Sequence, residues 1–228
     1  MSDPVFSSAL FRFLRELRKN NDRDWFQDQK ERYERDARDP ALAFVAGFAK
    51  PLRRISPHLV ADPRPVGGSL FRIYRDVRFS KDKRPYKTHV GIHFRHEAAK
   101  DAHAPGLYLH LEPGDVFAAV GIWQPDGATL SEIRDAIVDD PTAWKRSIGG
   151  KAFRTTWALS GESLKRAPRG YDPEHPLVED LKRKDFAAIT GFTERDACAA
   201  DFPKRLEGVW RSASPYLRFL TRALDLPW

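Results

Sequence analysis

FRIYRDVRFSKDKRPYKTHVGIHFR fills residues 71–95, and GLYLHLEPGDVFAAVGIW fills residues 106–123. In the first stretch Phe71, Ile73, Val77 and Phe79 alternate with Arg72, Tyr74, Asp76 and Arg78. After a polar turn, Val90, Ile92 and Phe94 alternate with Gly91, His93 and Arg95. In the second stretch Leu107, Leu109 and Leu111 alternate with Tyr108, His110 and Glu112. Pro113-Gly114-Asp115 then signals a hairpin turn, and residues 116–123 form a more continuously apolar run. A period of two marks strands that turn one face to a core. The short connections between them predict a mainly antiparallel sheet.

On both sides of this block the period lengthens to that of helices. Phe6, Leu10, Phe13, Leu14 and Leu17 form an amphipathic stripe behind an Asp3-Pro4 start, with Asn20-Asn21 at its end. A second helix is predicted over residues 24–38. Asp39-Pro40 then resembles a cap with a first-turn proline, ahead of a third helix that carries Val45, Phe48, Leu52 and Ile55. Pro51 is expected to kink that helix and Pro57 to end it. Later helices are predicted at 129–138, 141–148 and 176–182, and strands at 153–159 and 186–192, with a loop at 169–173. Thr193 with Asp196 suggests a capping box opening C-terminal helices that run, with breaks at Pro203 and Pro215, to Leu224. Helices, then strands, then helices predict an α+β fold: a central antiparallel sheet packed on one face by N- and C-terminal helices. No linker or repeat divides the chain, so residues 1–228 are expected to form a single domain.

The formal charge is +7, from 39 basic and 32 acidic residues. Residues 71–89 hold seven basic side chains (Arg72, Arg75, Arg78, Lys81, Lys83, Arg84, Lys87) against Asp76 and Asp82. They therefore account for +5 and leave +2 for the other 209 residues. An anionic partner is expected at this one segment. The start of the chain lacks a cationic region followed by an apolar run, and no stretch is apolar enough to span a bilayer. With Cys198 as the single cysteine no intrachain disulfide forms, and a cytoplasmic location is expected.

Arg72-Ile73-Tyr74-Arg75-Asp76-Val77-Arg78-Phe79, then Asp82-Lys83, then Pro85-Tyr86-Lys87, resembles the signature of a bacterial and fungal family known only as a domain of unknown function. That signature runs Arg-x-x-Arg-Asp-x-Arg-Phe, an Asp or Asn with Lys, then Pro-Tyr-Lys. Asn20-Asn21, Trp25-Phe26, Tyr33, Gly121, Trp123, Pro125 and Pro168-Arg169-Gly170-Tyr171 extend the resemblance along nearly the whole chain. It implies one domain and brings no activity with it.

Function must therefore be read from the residues. Alternation sets Arg75 on the apolar face, where a guanidinium needs a carboxylate, a carbonyl or a bound anion. Glu31, Glu34 or Asp36 of a packed helix are the candidate partners. The opposite face would gather Arg72, Tyr74, Asp76 and Arg78 with His93, Arg95, Tyr108, His110 and Glu112, which suits acid/base work on a phosphate ester or acyl group. A solvated polar sheet face accounts for the same pattern. Asp82 is expected to tether its loop by pairing with Lys or Arg.

Three alternatives stay open. In the first, Arg72, Arg75, Arg78, Lys83 and Lys87 bind a small phosphate- or carboxylate-bearing ligand, and Asp76, Tyr86, His93 or His110 move protons if it is processed. In the second, residues 71–89 contact nucleic acid. In the third, the motif is a structural ion-pair network. No cofactor or metal is expected, because the His-Glu-x-x-His pattern is missing and His89, His93 and His96 do not share one strand face. Gly67-Gly68 and Gly149-Gly150-Lys151 lack the spacing of a phosphate loop, and Cys198 has no nearby His. No membrane partner is expected, and the pattern does not encode an oligomeric state.

Overall fold

A computed structural model describes residues 4–98 and 104–228. The predicted α+β architecture is observed. Strands β1 (Val90–Arg95), β2 (Gly106–Glu112), β3 (Asp115–Ile122), β4 (Ala158–Ser160) and β5 (Phe186–Phe192) form one sheet in the order β1-β2-β3-β5-β4, every pairing antiparallel. Helices α1 (Ser8–Lys19), α4 (Asp39–Ile55), α10 (Phe202–Ser212) and α11 (Ser214–Ala223) pack against one face. There Ile92, Phe94, Leu107, Leu109, Ala118 and Ile122 are sealed from solvent, Phe48 stacks on Phe94, and Trp210 meets both rings edge-on. The stripe predicted for α1 is buried throughout. Its cap is Ser7, whose hydroxyl accepts from Ala9 N–H; the cap proposed at Asp3 lies outside the described residues.

Residues 71–79 correct the prediction, for they do not form a strand. Alternation is not sufficient, since a strand also needs a neighbour with free backbone groups; of the expected inward set Ile73 is buried, while Phe79 is exposed. The outer edge of β1 is met by Val60, whose N–H bonds Arg95 O, and by residues 69–71, where Phe71 N–H bonds Gly91 O and His93 N–H bonds Ser69 O. Beyond that point the chain curls onto itself. Arg75 N–H reaches Pro85 O and Lys87 N–H reaches Ile73 O, and Pro85, which has no N–H, cannot extend the ladder.

Smaller differences follow the same logic. The helix predicted over 24–38 is α2 (Arg23–Asp28), α3 (Lys30–Tyr33) and a π-helical turn, Glu34–Arg38, that runs straight into α4. Pro40 has no N–H for an ordinary helical bond, and the wider turn lets the helix pass it. Pro51 lies inside α4, which continues to Ile55. Residues 153–159 divide between α7 (Lys151–Thr156) and β4. The Thr193/Asp196 capping box forms as predicted, and Pro203 and Pro215 sit in the first turns of α10 and α11.

A cavity on the open face of the sheet

The sheet face turned away from the helices holds a cavity of about 430 Å³. Register builds it. His93 of β1 lies opposite Tyr108 of β2, and Gly91 lies opposite His110. Tyr108 and His110 face Ala119 and Phe117 of β3, and Ala119 faces Ile189 of β5. Phe71, Phe117, Trp123 and Ile189 give it apolar walls, and His89, His93, Tyr108 and His110 converge from one side. Two glycines make room for those side chains. A Cβ on Gly91 would stand 2.7 Å from Tyr108 Oη, and one on Gly106 would stand 2.5 Å from His93 Nε2.

A hydrogen-bonded chain crosses the cavity floor. Tyr108 Oη lies 3.0 Å from His110 Nδ1, and His110 Nε2 lies 3.2 Å from Glu112 Oε2. The other carboxylate oxygen, Oε1, accepts from Thr88 Oγ1 at 2.6 Å and Arg18 Nη2 at 2.8 Å. Burial pushes the Glu112 carboxyl up, but the hydrogen bonds from Thr88, His110 and Arg18 outweigh it and hold the group below its ordinary range. An ionised carboxylate only accepts, so Nε2 of His110 carries the proton and Tyr108 O–H donates to Nδ1. The His89 ring lies 4.3 Å from that of His110, which in turn stacks on Phe117 at 4.6 Å. Burial, then the neighbouring His110, pulls His89 down to about 4, so it is neutral at pH 7. Tyr108 is pushed well up by burial.

The basic segment is arranged differently. Arg75 donates to Asp82 at 2.6 Å and to Arg84 O at 3.3 Å. Arg84 grips the same Asp82, and Arg78 grips Asp76 at 2.7 Å. Lys83 Nζ donates to Val77 O and Lys87 Nζ to Arg72 O, with the Lys87 ammonium 5.4 Å from the Phe71 ring centre. Asp82 is thus the expected tether, while the partner of Arg75 comes from this loop and not from Glu31, Glu34 or Asp36. Tyr86 is buried and stacks on Phe26 at 4.0 Å, and its backbone N–H and C=O both bond the Asn21 side chain.

The structure therefore brings His93 and His110 to the cavity with Tyr108. Arg72, Arg75, Asp76, Arg78, Lys83, Tyr86 and Lys87 do not line it; of residues 71–89, Phe71 and His89 do. His89, Thr88 and Arg18 were not legible as one group, since they come from a strand lead-in and a distant helix. Phe117 and Ile189 carry no polar signal at all.

A sequence model of the family described as "Conserved hypothetical protein (DUF2461)" matches residues 9–219. The chain belongs to the DUF2461 family. No curated protein and no solved structure matches it. The match to DUF2461 spans the first helix, the basic segment, all five strands and most of the last helix, so the cavity lies wholly inside it. Among the described residues no helix is long and apolar enough to cross a membrane.

Proposed function

We propose that this protein binds a small organic molecule in the sheet-face cavity. A flat apolar body would lie against Phe71, Phe117 and Trp123, and a carboxylate or phosphate group would turn toward His89 and His93. The observation that supports this reading is one cavity in which aromatic walls surround a single cluster of polar side chains. Its volume falls in the range of roughly 300–1,000 Å³ typical of small-molecule sites. The arginines of the basic segment are mostly engaged by Asp76 and Asp82, which turns them toward holding the loop. Enzymatic processing of the ligand is a further step that this reading does not require.

A thermal-shift screen of aromatic and aliphatic carboxylates and monophosphates tests it, using chelator-treated wild type, Ala119→Phe and Arg78→Ala. Ala119 faces the cavity, and a phenyl ring there fills it while leaving the backbone in place. A ligand at about 100 times its Kd adds roughly 2.7 kcal/mol of stability. That gain is expected to persist in Arg78→Ala and to vanish in Ala119→Phe. The reverse pattern would move the site to the arginines and overturn the reading.

One observation favours a second reading, contact with nucleic acid. Phe79 is 95% exposed at the tip of the basic loop, with the Arg78 guanidinium 5.8 Å from its ring centre and Lys81, Lys83 and Arg84 exposed nearby. An exposed ring among cations suits base stacking beside a phosphate backbone. Short oligonucleotides would then bind with an affinity that falls steeply with salt and drops in Phe79→Ala. Binding indifferent to both would exclude it.

A further inference from the structure

We propose that His89, His110 and Glu112 bind one divalent transition-metal ion, of which Zn²⁺ is the best fit, at the polar side of the cavity. One ligand atom from each of the three lies within 4.8 Å of the others. Zinc takes imidazole nitrogen and carboxylate oxygen at about 2.0–2.2 Å, so ligand atoms on a shared ion stand about 3.3 Å apart. The three side chains need only close by about 1.5 Å at most, a movement on the scale of side-chain torsions. Two imidazoles with one carboxylate suit Zn²⁺, Co²⁺ or Fe²⁺; Mg²⁺ and Ca²⁺ prefer all-oxygen shells.

The surroundings of the three groups strengthen the assignment. Metal ligands are normally held in place through their second polar atoms. Tyr108 Oη occupies Nδ1 of His110 and leaves Nε2 directed at Glu112. Thr88 and Arg18 occupy Oε1 of Glu112 and leave Oε2 directed at His110. The metal would enter between Nε2 and Oε2, where the present contact is a long 3.2 Å. For Nε2 to offer its lone pair, the imidazole proton moves to Nδ1 and is donated to Tyr108 Oη, so His110 stays neutral and no proton is lost. Three protein ligands leave at least one coordination position, and both histidines line the cavity. Water fills that position, or the carboxylate or phosphate of a bound ligand does; this last point alone rests on the function proposed above.

The test is titration of the tag-free, chelator-treated full chain with Co²⁺, followed by visible absorption, then displacement by Zn²⁺ in a calorimeter. One equivalent per chain is expected. His89→Gln and Glu112→Gln should each weaken binding by at least about 100-fold, and Thr88→Val by about 10-fold, since supporting groups alone are worth 10- to 100-fold. His58→Gln serves as the control: His58 and His96 sit together, with Glu97 2.6 Å from His58, and none of the three lines the cavity. Circular dichroism melts keep folding and binding separate for each variant. Absence of stoichiometric binding, wild-type affinity in His89→Gln, or a loss confined to His58→Gln would each overturn the proposal. The ligand screen is run on chelated protein, so the two readings fail independently.

Discussion

Gly121 adopts φ +118° near the end of β3, and the Phe186 carbonyl oxygen occupies the place a Cβ would take. Both the left-handed backbone and the close approach require glycine. Gly121→Ala is therefore expected to cost about 3 kcal/mol in urea denaturation, because strain and overpacking fall on one residue. Arginine placement shows how far single residues can be read from sequence. Residues 71–79 form no strand, so alternation leaves Arg75 half-buried, at 27% side-chain exposure, and Phe79 95% exposed; the arginine buried among the described residues is Arg134. Its Nε and Nη2 donate to the carbonyls of Leu181 and Arg183 at 2.7 and 2.9 Å. Nothing along the chain marks Arg134, because its partners are backbone atoms, which leave no complementary charge in the sequence.

Among elements, α10 ties the helical layer to the sheet through one side chain. Trp210 is fully buried between Phe48 and Phe94, and its Nε1 donates to Ala119 O at 3.2 Å. Trp210→Ala should lower stability by about 3–5 kcal/mol, read as a shift in the urea midpoint with little change in slope. Ala119 is also a cavity residue, so the same variant should loosen β3 and weaken any cavity ligand. The helices and the strands β1, β2, β3 and β5 were legible because their apolar periods persist over several turns or pairs. Residues 71–79 have the same period but no partner strand, and a pattern within one segment carries no information about its neighbours.

Across the whole molecule, basic side chains hold acidic ones in their charged form. Hydrogen bonds from the Arg78 side chain and backbone hold Asp76 at about 2, and those from Thr193, joined by Arg205, hold Asp196 at about 2; Asp82 between Arg84 and Arg75 lies lower still. A carboxylate whose folded pKa is depressed binds fewer protons folded than unfolded, so it stabilises above the unfolded value near 4. That contribution should fade between about pH 4 and 2. Urea midpoints across this range should therefore fall with acid, and less steeply in 1 M salt, since these pairs are exposed. A flat profile would mean that the pairs do not form in solution. Amino-acid order alone settles the α+β class, the antiparallel pairing, the buried faces of β1 and β2 and the shared face of Tyr108, His110 and Glu112. All of these depend on periodicity and short connections, which are local. The cavity, the Asp82 clamp on Arg75 and Arg84, and the meeting of His89 with His110, Glu112, Thr88 and Arg18 depend on register and packing between distant segments. Those follow from which surfaces fit together in three dimensions, and no period along the chain encodes them.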